Sequence, residues 1–325
     1  MSNTKGHVSV HALDAGFLTL PESFFVTPLE DPTARKTVPS LSFLIQHTNS
    51  KTQGTTRLVF DLGIRQTLTD YSAPIRKHIR TREPISGDPD TIASLARGGL
   101  RPDDIDFVAF SHLHWDHIGT PAHFPTSTYV VGPGAASLVD GSCPSDALGS
   151  HNHFEQGILD LKRTFELGPV GAPVTPPLAN GTTKPCLGRV SLSRSWKPLG
   201  LFNATMDIFD DGSLYIVSAP GHLDGHINML CRLEDGRYIY LAGDACHDTR
   251  LLTGEKQIAT WTDQAHPLSI CCIHKDKAAA EKTLDIIRRT MNGESELGRV
   301  EVVFAHDVAW EEEAKRLGRF FPGAL

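Results

Sequence analysis

The chain has 325 residues, with 31 Lys plus Arg against 38 Asp plus Glu and a net charge of −7. A pI near 6.1 lacks the broad basic field of nucleic-acid binders, and no apolar run reaches the ~18 residues that span a bilayer. MSNTKGHVSV has no apolar signal-peptide core and the six scattered cysteines show no C-x-x-C spacing, so the expectation is a cytoplasmic protein with reduced thiols.

In chain order, Leu41 to Gln46 and Arg57 to Leu62 are rich in branched and aromatic residues and read as strands. Asp88-Pro89-Asp90 opens a helix, with Asp88 as N-cap and Pro89 at the first helical position, and Gly98-Gly99 closes it. A strand over Asp106 to Phe110 runs straight into SHLHWDHIG. The prolines and glycines between Gly168 and Gly188 are too dense for a helix or central strand, so that segment reads as a loop or a lid. Ser213 to Ala219, Ile227 to Leu233 and Tyr238 to Ala242 read as strands, the last two joined by an Asp235-Gly236 hairpin turn. Lys275 to Met291 has helical spacing and stops at Gly293, with Lys275, Lys277 and Lys282 on a solvated face. Val300 to Phe304 is a last strand, and Val308 to Phe320 a final helix.

The sharpest local feature is His112-Leu113-His114-Trp115-Asp116-His117. Chance rarely places three His and one Asp in six residues at this spacing. His112 and His114 are two apart beyond a strand and can point the same way. Four ligand-type groups exceed what a single tetrahedral zinc requires, which points to a pair of metals. Further donors recur at three strand ends, in Pro220-Gly221-His222, Gly243-Asp244 and Ala305-His306-Asp307, where rigid scaffolds place functional groups.

With these residues the sequence resembles the metallo-β-lactamase superfamily. Leu58 to Gly63 (LVFDLG) and Pro220 to His226 (PGHLDGH) are similar to two of its other segments, and the likeness covers roughly residues 39 to 310. It implies an α/β fold, an αββα sandwich of two mixed sheets flanked by helices with metals at one edge. It also implies that His112, His114 and His222 hold one metal, that Asp116, His117 and His306 hold the second, and that Asp244 bridges them. Two Zn2+ are expected, with Mn2+ or Fe2+ as alternatives. A water between the metals, deprotonated near neutral pH, would attack a carbonyl, with Asp116 passing a proton to the leaving group.

Aspartate at 244 resembles the lactone-hydrolase branch; in one class of zinc β-lactamases a cysteine stands there instead. Lactonases of that branch place a tyrosine three residues on, where this chain has His247. An imidazole can donate to an oxyanion or protonate a leaving nitrogen, so His247 is expected to be catalytic and to broaden the chemistry toward lactams or cyclic carbamates. His226 is expected to support the ligands from behind, Trp115 to pack beneath them, and Cys271-Cys272 to act as small apolar groups.

The expected function is therefore hydrolysis of a small cyclic ester, lactam or cyclic carbamate, with a small-molecule partner, no nucleic acid, no membrane and a homodimer as one option. Residues 1–38 read as an N-terminal extension, and 39–325 as the hydrolase domain with an insertion around 140–212. A thioesterase of the glyoxalase II type is the first rival, kept open by the basic run Arg76 to Arg82. An iron-dependent redox protein on the same fold is the second.

Overall fold

The computed structural model describes residues 6–49, 53–143, 151, 153–172, 190–263 and 266–325. Side-chain alternation sets the layers. In Ser42–Thr48, Phe43 and Ile45 face one core while Leu44 faces another, and in Thr55–Phe60 Leu58 and Phe60 oppose Val59 in the same way. Tyr238–Leu241 repeats the pattern, with Ile239 and Leu241 turned inward and Tyr240 outward. Strands with two apolar faces must be covered on both, and the period of two assigns each side chain to one of them.

Two six-stranded sheets result. The first runs in the order Ser9–Leu13, Ser42–Thr48, Thr55–Phe60, Phe107–Ala109, Thr128–Val131, Thr164–Glu166, antiparallel through the first three and parallel thereafter. The second is an antiparallel run of Lys197–Leu199, Phe202–Asp207, Leu214–Ser218, Ile227–Arg232 and Tyr238–Leu241, closed by a parallel Glu301–Val303. Their facing sides bury Val10, Phe43, Phe60 and Ala109 against Ile216, Met229, Ile239 and Val303. Leu95 of the helix Thr91–Arg97 packs on the outer side of the first sheet. Leu284 and Ile287 of Lys277–Met291 pack on the outer side of the second, each burial stabilising by about 1.5–3 kcal/mol. The architecture is the α/β, αββα sandwich.

Three elements differ from the sequence reading. The 91–97 helix is capped by Asp90, not Asp88: the Asp90 side chain accepts from the Ala93 N–H, so the carboxylate that reaches the third amide is the cap. The final helix is Val308–Arg316 and ends at Leu317 before Gly318, which has φ +67°, rather than continuing to Phe320. Residues read as an N-terminal extension supply an edge strand, Ser9–Leu13, whose Val10 and Ala12 enter the inter-sheet core. Of the 168–188 segment, residues 173–188 lie outside the described residues, and with them the question of a lid. Among the described residues no helix is long and apolar enough to cross a membrane.

Candidate metal centre

Four strand ends converge at one edge of the sandwich. Phe107–Ala109 leads to Ser111 and His112, and the short helix Trp115–Ile118 carries Asp116 and His117. Leu214–Ser218 leads to His222, Tyr238–Leu241 to Asp244, and Glu301–Val303 to His306. Gly221 explains the PGH segment: it has φ +133°, and a Cβ there would lie 2.3 Å from the backbone of Ala280. The start of the 277–291 helix docks on it, with Asp276 N–H donating to the Gly221 carbonyl and Lys275 N–H to that of His222.

Two donor groups form around one carboxylate. His112 Nε2 and His114 Nδ1 are 2.9 Å apart, and His222 Nε2 lies 3.2 Å from the first and 3.1 Å from the second. On the other side, His117 Nε2 and His306 Nε2 lie 3.2 and 3.3 Å from Asp244 Oδ1, and Asp116 Oδ2 is 3.8 Å from His306 Nε2. Asp244 Oδ2 turns to the first group, 3.5 Å from His222 Nε2 and 3.8 Å from His112 Nε2. Asp244 therefore presents one oxygen to each set.

The donors fit divalent cations better than they fit each other. Three ring nitrogens at mutual contact cannot all be satisfied by protons, because a nitrogen–nitrogen hydrogen bond needs one donor and one lone pair. His117 Nε2 and Asp244 Oδ1 face each other without hydrogen-bond alignment, and both are buried with no partner. Such an orphan costs about 1–3 kcal/mol, and a bound cation removes the cost. Imidazole and carboxylate donors suit zinc, manganese or iron.

Electrostatics separates the two sets. Burial, reinforced by neighbouring histidines, holds His112 and His222 well below the usual imidazole range, leaving neutral rings that can ligate. Burial also opposes charge on His117 and His306, but Asp244 outweighs it and raises both. The Asp244 carboxyl, which burial alone would raise, is held well below its usual value by His117, His306 and His247.

Outer partners fix the rings. His117 Nδ1 meets Asp61 Oδ2 at 3.0 Å, and His306 Nδ1–H donates to the Pro39 carbonyl at 2.7 Å. Ser111 Oγ lies 3.0 Å from His112 Nδ1 and donates to Asp61. His226 accepts from the Asp244 N–H through Nε2 and faces the Ala219 carbonyl through Nδ1, behind the ligand cluster as its sequence position suggested. Asp61 and the buried His274, whose Nδ1 lies 3.3 Å from His222 Nδ1, had no assigned role in the sequence reading. Asp61 sat in a noted segment, while His274 arrives from a distant hairpin with no local motif.

His247 points inward: its side chain is 3% exposed and its Nε2 lies 2.9 Å from Asp244 Oδ2. Its ring packs 4.8 Å from that of Phe25. Cys246 is turned away, its thiol donating to the Asp248 carbonyl and pushed up to about 12 by burial. A pocket of about 220 Å³ opens over His114, Asp116, His222, Asp244, His247 and His306. Leu20, Phe24, Phe25, Trp115 and Trp261 give it apolar walls, and His78, Arg82, His151 and His153 line it too. Trp115 is buried beneath the ligand turn and also reaches this pocket. Cys272 lines the same pocket, and Cys271 is partly exposed.

No family model matches the chain. It is similar to the cytochrome P450 monooxygenase mpaDE' of Penicillium brevicompactum, 30% identical over 322 residues that cover 92% of this chain and 33% of the relative. It is 29% identical to metallo-hydrolase mfmC of Annulohypoxylon moriforme, over 75% of this chain and 58% of the relative. It is also 29% identical to gamma-lactamase FDB1 of Fusarium pseudograminearum, over 74% and 53%. The chain thus spans about a third of the first relative's length and little more than half of the other two. Among solved structures it matches B. thuringiensis AiiA with N-decanoyl-L-homoserine at its active site, at TM-score 0.63, 16% identity and 98% coverage of both chains. An N-acyl homoserine lactone hydrolase with its product bound matches at TM-score 0.63, 15% identity and the same coverage.

Proposed function

We propose that the chain is a dinuclear metal hydrolase of the metallo-β-lactamase superfamily, opening a small cyclic ester or lactam, cyclic carbamates included; its αββα fold and its metallo-hydrolase and gamma-lactamase relatives support this reading. In this reading His112, His114 and His222 hold one divalent cation. Asp116, His117 and His306 hold the second, and Asp244 contacts both. The observation that carries it is the Asp244 carboxylate, with one oxygen toward each set of donors. When bound, such cations polarise a carbonyl and make water a nucleophile near neutral pH; zinc is the first choice, with manganese or iron able to occupy the same donors.

The chain's own residues do the rest. The Phe24, Phe25 and Trp261 walls exclude water and place a flat ring over the donors. Asp116, which lines the pocket, carries a proton to the leaving oxygen or nitrogen. His247 lines the pocket and donates its Nε2–H to Asp244 Oδ2; with that carboxylate taken up by the cations, the same N–H would turn to the carbonyl oxygen where negative charge develops.

The name of a metallo-hydrolase among the relatives supports hydrolysis, and those of a gamma-lactamase and an N-acyl homoserine lactonase support a ring substrate. The pocket argues against a thioesterase acting on an extended thiol carrier. Of the four Lys and Arg residues from Arg76 to Arg82, only Arg82 lines it, and Arg76 is turned to the Thr69 and Tyr71 carbonyls. The test is proton release by the purified protein on γ-lactones, γ-lactams, cyclic carbamates and thioesters, before and after chelation. Ring opening abolished by chelator is expected; thioester cleavage with every ring untouched would overturn the reading.

A further inference from the structure

Among the described residues two arginines are buried, and they differ in how they are satisfied. Arg65, 6% exposed, donates through Nε to the Gly119 carbonyl at 2.9 Å and through Nη1 to that of Asp70 at 2.7 Å, with Glu155 at 3.6 Å. Arg82, 9% exposed, lines the pocket above the candidate metal centre. Among the described residues its guanidinium has one hydrogen-bond acceptor, Thr81 Oγ1 at 3.2 Å, and no carboxylate in ion-pair contact. The Phe24 ring lies beneath it at 5.9 Å. A guanidinium carries five N–H donors, and a buried cation left without a counter-charge is costly.

The surroundings hold this charge in place. Arg35 Nη2 donates to the carbonyls of Thr81 and Glu83, at 2.9 and 3.1 Å, and so pins the residues on both sides of Arg82. His78, on the same wall, is driven down to about 2 by burial, with His153 and Arg82 adding to the effect, so it stays neutral and does not compete for an anion. Asp116 attracts Arg82 without pairing with it, and in the proposed function that carboxylate is committed to a metal. A desolvated cation held on a pocket wall, with no carboxylate paired to it among the described residues, is a pre-organised receptor for an oxyanion.

We propose that Arg82 is the specificity-determining residue of this pocket, receiving an anionic oxygen group of the substrate that lies away from the scissile carbonyl. The substrate class becomes a ring ester or lactam bearing a carboxylate, sulfonate or phenolate, its flat body against Phe24 and Trp261. This rests on the hydrolase reading for the word substrate; the anion site itself does not.

Trp115 and Trp261 line the same pocket, so their fluorescence reports occupancy without turnover. The metal-loaded protein is titrated with benzenesulfonate and with methyl phenyl sulfone, an uncharged molecule of the same shape and a matched control for apolar contact. The sulfonate should bind at least about tenfold more tightly, as a hydrogen bond to a charged group provides. Arg82→Gln should bring the two probes within about twofold of each other, whereas Arg82→Lys, which keeps the charge, should retain part of the preference. Equal binding of both probes by the natural protein overturns the proposal. A full preference surviving in Arg82→Gln does so too, because the anion would then be held by the metals. If no ring is hydrolysed but the Arg82-dependent preference stands, the hydrolase reading fails and the anion site remains.

Discussion

Asp61 Oδ2 lies 3.0 Å from His117 Nδ1, joining residues 56 positions apart inside the core of the site. The same carboxylate accepts from the Ser111 N–H and hydroxyl, both at 2.7 Å. It thereby orients one candidate ligand directly and holds the turn that carries another. Asp61 has φ +61°, a conformation that asparagine also tolerates. Asp61→Asn should fold and still weaken metal binding about 10–100-fold, the range for partners behind a ligand. Competitive titration against a chromophoric chelator checks this, and unchanged affinity for both metals would mean that Asp61 does not orient the ligands.

Asp244 makes the heavier demand. Asp244→Asn keeps the shape and removes the charge shared between the two donor sets. We expect it to retain less than two metals per chain by elemental analysis and to lose at least about 100-fold in kcat. Full metal content with normal turnover would rule out a shared carboxylate.

His247 is separable from the ligands. His247→Ala should leave the metal content near that of the natural protein and lower kcat about 10–1000-fold, the scale of one lost oxyanion donor or general acid. The fall should exceed any change in KM, since the interaction develops in the transition state. A change confined to KM would make it a residue of substrate binding only.

Stability has its own pH signature far from the site. His47 Nε2 meets Asp211 Oδ2 at 2.8 Å. Burial opposes the Asp211 charge, but hydrogen bonds from His47 and Ser213 outweigh it and hold the carboxyl below its usual value. A carboxyl lowered by folding binds fewer protons in the folded state, so its contribution is complete above about pH 4 and is lost as pH falls through the folded pKa. Asp211→Asn should therefore cost about 1 kcal/mol at neutral pH, an amount reduced by the partial exposure of the pair. Urea unfolding of both proteins should show that gap closing below pH 4. A gap independent of pH would mean that packing, not charge, is lost.

Legibility in the sequence followed physical range. Enrichment in branched and aromatic residues made the inner strands readable, and each strand expected from the sequence is observed within two residues of its expected bounds, as with Tyr238–Leu241 against an expected Tyr238 to Ala242; Ser9–Leu13, Thr128–Val131, Thr164–Glu166, Lys197–Leu199 and Phe202–Asp207 had no such expectation. His112 to His117 were visible because the turn that gathers them is local. His222, Asp244 and His306 were found through strand ends and the family resemblance. Arg82, Phe24, Trp261 and His274 carried no such signal: each reaches the site from a separate element, and only tertiary packing makes them neighbours. The Asp88-Pro89-Asp90 run offered two carboxylates for one cap, and the choice between them is made by reach to the Ala93 amide.

Stepwise zinc titration of the metal-free protein shows whether two cations share Asp244. With ring opening followed at each addition, two equivalents should bind per chain and activity should rise mainly with the second. Saturation at one equivalent with full activity would contradict that sharing.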